Sequence, residues 1–229
     1  MRSSWFLLIS LAAAPSVLAQ GAAPLRVEIE YAFMRNGKTV AEVVERLEHA
    51  NGSYRITETW KGKGVYAVMG KAKRTSQGSL DADGPRPHEY VDERSGRDTQ
   101  RASFDWSAGT ITRRYKGSTG TEAVPRGTQD RLSFLLALSF ASQKDAPISF
   151  HVADGRGMSR HAYEPNGRER IATPAGEFDT VKLMRRHQGS NEVAEVWFAA
   201  NRDYLPVRIV VIEKDGTRYE HVARRISPL

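Results

Sequence analysis

"LRVEIEYAFMRNGKTVAEVVERLEHANGSYRITETW", residues 25–60, decides the fold. Leu25, Val27, Ile29, Tyr31 and Phe33 share one parity, while Arg26, Glu28 and Glu30 occupy the other. Successive side chains of an extended chain point to opposite faces, so this alternation describes a strand with one apolar and one wet face. Asn36-Gly37 and Asn51-Gly52 punctuate the stretch. Asx-Gly pairs accept positive φ at both central positions of a tight hairpin. A three-stranded antiparallel meander is expected, its last strand carrying Tyr54, Ile56 and Trp60 on one side.

The same punctuation recurs at Asp83-Gly84, Asp154-Gly155, Asn166-Gly167 and Asp215-Gly216. Further strands are expected around Phe104, Ile111, Phe150, Met158–Tyr163, Val193–Phe198, Val207–Glu213 and Thr217–Arg225, for a total of roughly ten to twelve. Gly117–Gly127, rich in Gly, Ser and Thr, reads as a loop. One segment breaks the alternation. In "GTQDRLSFLLALSFAS", residues 127–142, Leu132, Leu135, Leu136 and Phe140 recur at helical spacing. Thr128 is the expected N-cap, Asp130 sits in the first turn, and Ser133 offers a capping-turn hydroxyl. A shorter helical turn is expected at Gly64–Met69. The fold class is all-β: a curved antiparallel sheet or open β-barrel with one main helix packed against it.

The chain opens on a short basic start, Met1-Arg2-Ser3-Ser4, an apolar run from Trp5 to Pro15, and Val17-Leu18-Ala19. That pattern is a secretory signal peptide, residues 1–19, with cleavage after Ala19. Residues 20–229 are then expected as one periplasmic domain. With no cysteine, thiolate metal sites, cysteine nucleophiles and an acylated N-terminal cysteine are excluded. The formal charge of +7 favours anionic surroundings through long-range attraction. Outside the cytoplasm, nucleic acid is not the expected partner.

Motifs that would carry chemistry are missing. The sequence contains no H-E-x-x-H and no G-x-S-x-G elbow. Gly62-Lys63-Gly64-Val65-Tyr66-Ala67 fits a dinucleotide fingerprint on paper, but its flanks alternate as antiparallel strands rather than opening a βαβ unit. His151 and His161 lie on adjacent expected strands joined by the Asp154-Gly155 turn and read as solvated strand histidines rather than a metal site; His49, His88, His187 and His221 are scattered. Glu177 and Asp179 follow the Thr173-Pro174-Ala175-Gly176 turn at a two-residue spacing. Such a pair on one strand face reads as an exposed corner, not as catalytic carboxylates.

"TPAGEFDTVKL" at 173–183, "EVWFAANRDYLPVRIVVIEKDGTRYE" at 195–220 and "GTQDRLSFLLAL" at 127–138 together resemble the bacterial exported family called domain of unknown function 3108 (DUF3108). The resemblance spans most of the chain beyond the leader. It implies a periplasmic all-β protein and no particular reaction.

The expectation is therefore a non-catalytic cell-envelope protein with no cofactor and no metal, peripheral to the membrane at most. An inward aromatic set, Tyr31, Phe33, Trp60, Phe104, Trp106, Phe150 and Trp197, suits acyl chains, so a lipid or acylated envelope component is the expected ligand. An envelope hydrolase acting on glycan or lipid is the alternative.

Overall fold

The computed structural model describes residues 26–142, 146–186 and 191–229; the expected signal peptide and His187 lie outside them. Alternation builds a first antiparallel meander of β1 (Arg26–Arg35), β2 (Lys38–Ala50), β3 (Ser53–Gly62), β4 (Lys71–Asp81), β5 (Gly84–Arg94), β6 (Gln100–Asp105), β7 (Thr110–Tyr115) and β8 (Ser118–Ala123). A 3₁₀ turn, Gly64–Met69, links β3 to β4 where a short helical turn was expected. After β9 (Gln129–Asp130) and helix α1 (Ser133–Ser142) come β10 (Ile148–Ala153), β11 (Met158–Thr173), β12 (Gly176–Arg186), β13 (Val193–Ala199), β14 (Leu205–Ile212) and β15 (Arg218–Pro228).

Among the described residues, all fifteen strands form one sheet, in the order β8 back to β1, then β15 back to β9. The two meanders are joined where the first strand pairs with the last, from Val27↔Pro228 to Arg35↔Tyr219. The sheet curves strongly but does not close: β8 and β9 are its two edges. Near the β9 end, Gln129 Nε2 donates to the Pro85 carbonyl at 2.9 Å, tying that edge back to β5.

The strand number exceeds the expected ten to twelve for identifiable reasons. Residues 118–123, read as loop, pair with β7 as the fully exposed strand β8, through a hairpin at Lys116-Gly117 where both φ values are positive. Strands β4 and β5 escaped notice because their inward residues include Arg74, Ser76 and Asp92, which blur the apolar period. Asn166-Gly167 is not a hairpin. It is a register shift inside β11, with Gly167 at φ 90°.

The helix is anchored by its own first residues. Asp130 Oδ1 accepts from the amides of Leu132 and Ser133 at 2.8 and 2.9 Å, and Ser133 Oγ accepts from the Asp130 amide at 2.8 Å. This reciprocal cap displaces the expected Thr128, whose hydroxyl donates to the Pro125 carbonyl instead. The same carboxyl receives Ser76 Oγ from β4 at 2.6 Å, so the cap also fastens helix to sheet. Burial pushes the Asp130 carboxyl up to about 6. Of the four expected helical anchors, Leu132 and Leu136 are buried and join the main core with Val27, Ile29, Leu47 and Ile56. Phe140 is only partly buried against it. Leu138 and the partly exposed Leu135 face a second core with Tyr163, Leu183, Val196 and Phe198.

The Thr173–Gly176 turn is the expected corner. Glu177 and Asp179 are exposed, and Glu177 pairs with Arg170 at 2.7 Å in open solvent. Exposed pairs contribute about 0–1 kcal/mol. Glu177→Gln with Asp179→Asn should therefore leave the thermal midpoint within a few degrees of the parent, as calorimetry would show.

Candidate functional site

Inward positions of β1–β5 and β15 carry charge as well as apolar bulk. Glu45 on β2 stands directly opposite Glu58 on β3. Glu58, itself buried, accepts from Trp60 Nε1 at 2.5 Å and from Arg74 Nη1 at 2.8 Å. Arg74 continues to Asp92 at 3.4 Å, and Asp92 takes Arg94 at 2.7 Å. Burial works against the Asp92 carboxylate, but hydrogen bonds and charge from Arg94 and Arg74 outweigh it and hold it below the ordinary carboxylate range. Among the described residues, Glu45 has no such cationic partner. It keeps part of its accessible surface, yet burial first and the facing Glu58 second push its carboxyl up to about 8.

Aromatic rings cover this cluster. Phe33 meets Trp60 edge-on at 4.7 Å between centroids, stacks on Tyr219 at 5.7 Å and touches His221 at 4.8 Å. The Arg74 guanidinium lies 5.3 Å over the Trp60 ring, a cation–π contact that orients both. Burial, reinforced by the Arg74 charge, lowers His221 to about 4, so its ring is neutral at physiological pH.

Above these rings opens a cleft of about 260 Å³. Phe33, Val40, Ala41, Trp60, Tyr66 and Ala72 form its apolar walls, and Lys71, Arg94 and Arg97 stand among its polar lining. Two glycines shape it. A Cβ at Gly62 would lie 2.1 Å from the Tyr66 carbonyl oxygen, and one at Gly70 would lie 2.5 Å from Ser95 Cβ. The 3₁₀ turn can thus fold down onto the strand ends and set Tyr66 as one wall. Trp60 and Arg74 both line the cleft and both hold Glu58, but neither Glu45 nor Glu58 lines it. Chemically the arrangement offers an apolar slot with cations in its lining, over a fixed acid–base lattice.

Of the seven aromatics singled out in the sequence, the cleft brings together Phe33 and Trp60. Tyr31 lies deeper, against His221, with its hydroxyl donating to the Pro206 carbonyl at 2.8 Å. Phe104 and Trp106 stack on each other at 5.6 Å in another part of the core, where Trp106 Nε1 donates to the Pro87 carbonyl. Phe150 packs against the second core. Trp197 is sandwiched between Lys182 and Arg208, its Nε1 donating to Glu169. Alternation located inward rings but not which strands share a cavity. Tyr66, Lys71 and Arg97 were missed; the visible signal was the run of four lysines around an apolar turn.

Phe150, not His151, stands opposite His161, so the two histidines fall on opposite faces of the hairpin and do not meet. Ser159 Oγ lies 3.1 Å from His161 Nε2, superficially a nucleophile and base. Burial, with the Arg185 and Arg131 charges, lowers that imidazole to about 4, and its Nδ1 has no partner among the described residues. Among the described residues the pair therefore lacks the third group that orients a catalytic imidazole. Among the described residues, no group of three His, Asp or Glu could hold a metal ion.

A family model described as "Protein of unknown function (DUF3108)" matches residues 26–222. The chain is also similar to two crystal structures. One is a candidate lipoprotein from Parabacteroides distasonis ATCC 8503, at 12% identity and TM-score 0.41, covering 90% of this chain and 97% of that one. The other is a candidate exported protein with YmcC-like fold from Bacteroides fragilis NCTC 9343, at 12% identity and TM-score 0.43, covering 90% of this chain and 98% of that one. Comparison with curated proteins finds no match.

Proposed function

The chain belongs to the DUF3108 family, and from that premise we propose that it is a non-catalytic, exported envelope protein whose cleft binds an anionic amphiphile. One observation carries the reading: apolar walls from Phe33, Trp60 and Tyr66 and cations from Lys71, Arg94 and Arg97 meet in a single cleft. An acyl chain would displace water from the walls, which favours burial by about 25 cal/mol per Å² of apolar surface. Its phosphate or carboxylate head would take those cations. The volume is small for a whole lipid, so one chain segment and its headgroup are the expected occupants. The protein would act in the periplasm after loss of residues 1–19, with an acylated envelope component as its partner. No helix among the described residues is long and apolar enough to cross a membrane.

The hydrolase alternative draws on one specific observation, the facing Glu45 and Glu58, since a carboxyl held protonated near neutrality is the kind of group that serves as general acid. Neither carboxyl lines the cleft, so the binding reading is preferred.

A fluorescent fatty acyl probe tests it. Delipidated protein should bind the probe saturably, and Trp60→Ala should weaken binding by about tenfold or more, because truncating a central aromatic anchor typically costs at least about 1–2 kcal/mol. Trp106→Ala serves as the control, because Trp106 lies elsewhere in the core; its binding should match the parent. Arg97→Glu should weaken the carboxylate probe but spare its uncharged alcohol analogue. Absence of saturable binding, or equal loss in the Trp60 and Trp106 variants, would defeat the proposal.

A further inference from the structure

We propose that the Gly64–Met69 turn is a docking tip that inserts its two valines into an anionic bilayer surface. Val65 and Val68 are 81% and 88% exposed; the only other exposed large hydrophobic among the described residues is Leu229 at the C-terminus. Two such side chains on one short turn make a contiguous apolar point, the kind of surface that interaction sites use. In a 3₁₀ turn, residues three apart eclipse one another, so the valines share one side, while Tyr66 lines the cleft.

The flanking charge identifies the partner. "KGKGVYAVMGKAKR", residues 61–74, carries four lysines and an arginine and no acid. Lys61 stands directly opposite Lys71 in the β3–β4 ladder. Like charges placed so are unfavourable in the free protein, and a negatively charged surface would offset that cost by attracting both lysines. Lys63 contributes less, since it is paired with Glu42 at 2.6 Å, and Glu93 stands opposite Lys73. The tip is held in place rather than loose: the Lys63 amide donates to the Val40 carbonyl at 2.9 Å, and the Tyr66 amide to the Lys63 carbonyl at 3.0 Å. An apolar point ringed by cations suits the boundary between headgroups and acyl chains. Because Gly62, Tyr66, Gly70 and Lys71 border both tip and cleft, docking would bring the cleft mouth to the membrane. This extends the binding reading but does not need it.

Co-sedimentation of the exported chain with vesicles tests the proposal. The protein should pellet with phosphatidylcholine mixed with an equal part of phosphatidylglycerol and stay in solution with phosphatidylcholine alone. Val65→Asp with Val68→Asp should lower the partition by more than about tenfold, since two apolar insertions are lost. Lys61→Glu with Lys71→Glu should lower it by at least a similar factor, at about fivefold per cation removed near such a surface. Both double variants should keep the parent's melting temperature, and the valine variant, whose side chains lie outside the cleft lining, should also keep the parent's affinity for the soluble acyl probe. Unchanged sedimentation of the valine variant, or equal binding to neutral vesicles, overturns the docking tip. Release from vesicles by Trp60→Ala with no effect of the valine variant would also overturn it, placing the contact in the cleft. Loss of probe binding in Trp60→Ala with vesicle binding intact supports the tip on its own.

Discussion

Leu138→Asp is expected to abolish cooperative folding. Leu138 is fully buried on α1 and contributes to the second core with Tyr163, Leu183, Ala194, Val196 and Phe198. Its buried neighbours in that core are apolar apart from the Tyr163 hydroxyl. Burying a carboxylate there unpaired, or protonating it and leaving a cavity, costs on the order of the whole stability of a domain, about 5–15 kcal/mol. Calorimetry of the variant should show no sharp transition. Leu138→Ala isolates the packing contribution: it should cost about 2–5 kcal/mol, which for a chain of this size lowers the melting temperature by about 2–4 °C per kcal/mol. Leu135→Asp, one helical turn earlier and partly exposed, should do less than Leu138→Asp. If Leu138→Asp melted like the parent, the second core would not be where α1 is placed.

Glu45→Gln is expected to stabilise the protein at alkaline pH. The folded state holds the Glu45 proton up to about 8, whereas an unfolded chain releases it near about 4.3. Between those values the native state binds more protons, so stability falls as pH rises. Asp130, raised to about 6, acts in the same direction over a shorter span. His161 and His221, lowered to about 4, act oppositely: the unfolded chain takes up their protons as pH falls below about 6.5, and stability is lost downward. Below about 6.5 the two acids and two histidines largely offset each other. From about 6.5 to 8 Glu45 acts alone among these four. The parent's melting temperature should therefore decline from pH 6.5 to 8.5, and Glu45→Gln should flatten that slope. At pH 8.5 the variant should gain on the order of 2–5 kcal/mol, at about 1.4 kcal/mol per pH unit of displacement with allowance for partial exposure. At pH 5 the two proteins should be nearly equal. A variant less stable than the parent at pH 8.5 would show that the ionised carboxylate is favoured in the fold.

Alternation from Val27 to Phe33 and the Asx-Gly pairs other than Asn166-Gly167, which became a register shift inside β11, sufficed to specify strands, inward faces and hairpins there, because both depend only on neighbours in the chain. The same holds for the α1 segment, whose leucines recur at helical spacing, and for the exposed Glu177 and Asp179. What the sequence by itself determined was therefore local: an antiparallel sheet, one helix and the family. Which strands meet across the chain was decided by tertiary structure alone. The pairing of β1 with β15 closes a loop of nearly the whole chain and rests on edge complementarity that no local period encodes. The cleft needs Phe33, Trp60, Tyr66 and Arg97 from separate segments. Beneath it, Arg74, Asp92 and Glu58 look like surface residues in the sequence and are tolerated inside because each finds its partner on another strand. The Asp130 cap was preferred over Thr128 for the same reason: its carboxyl satisfies two helix amides and the Ser76 hydroxyl at once, and Ser76 is brought there only by the curvature of the sheet.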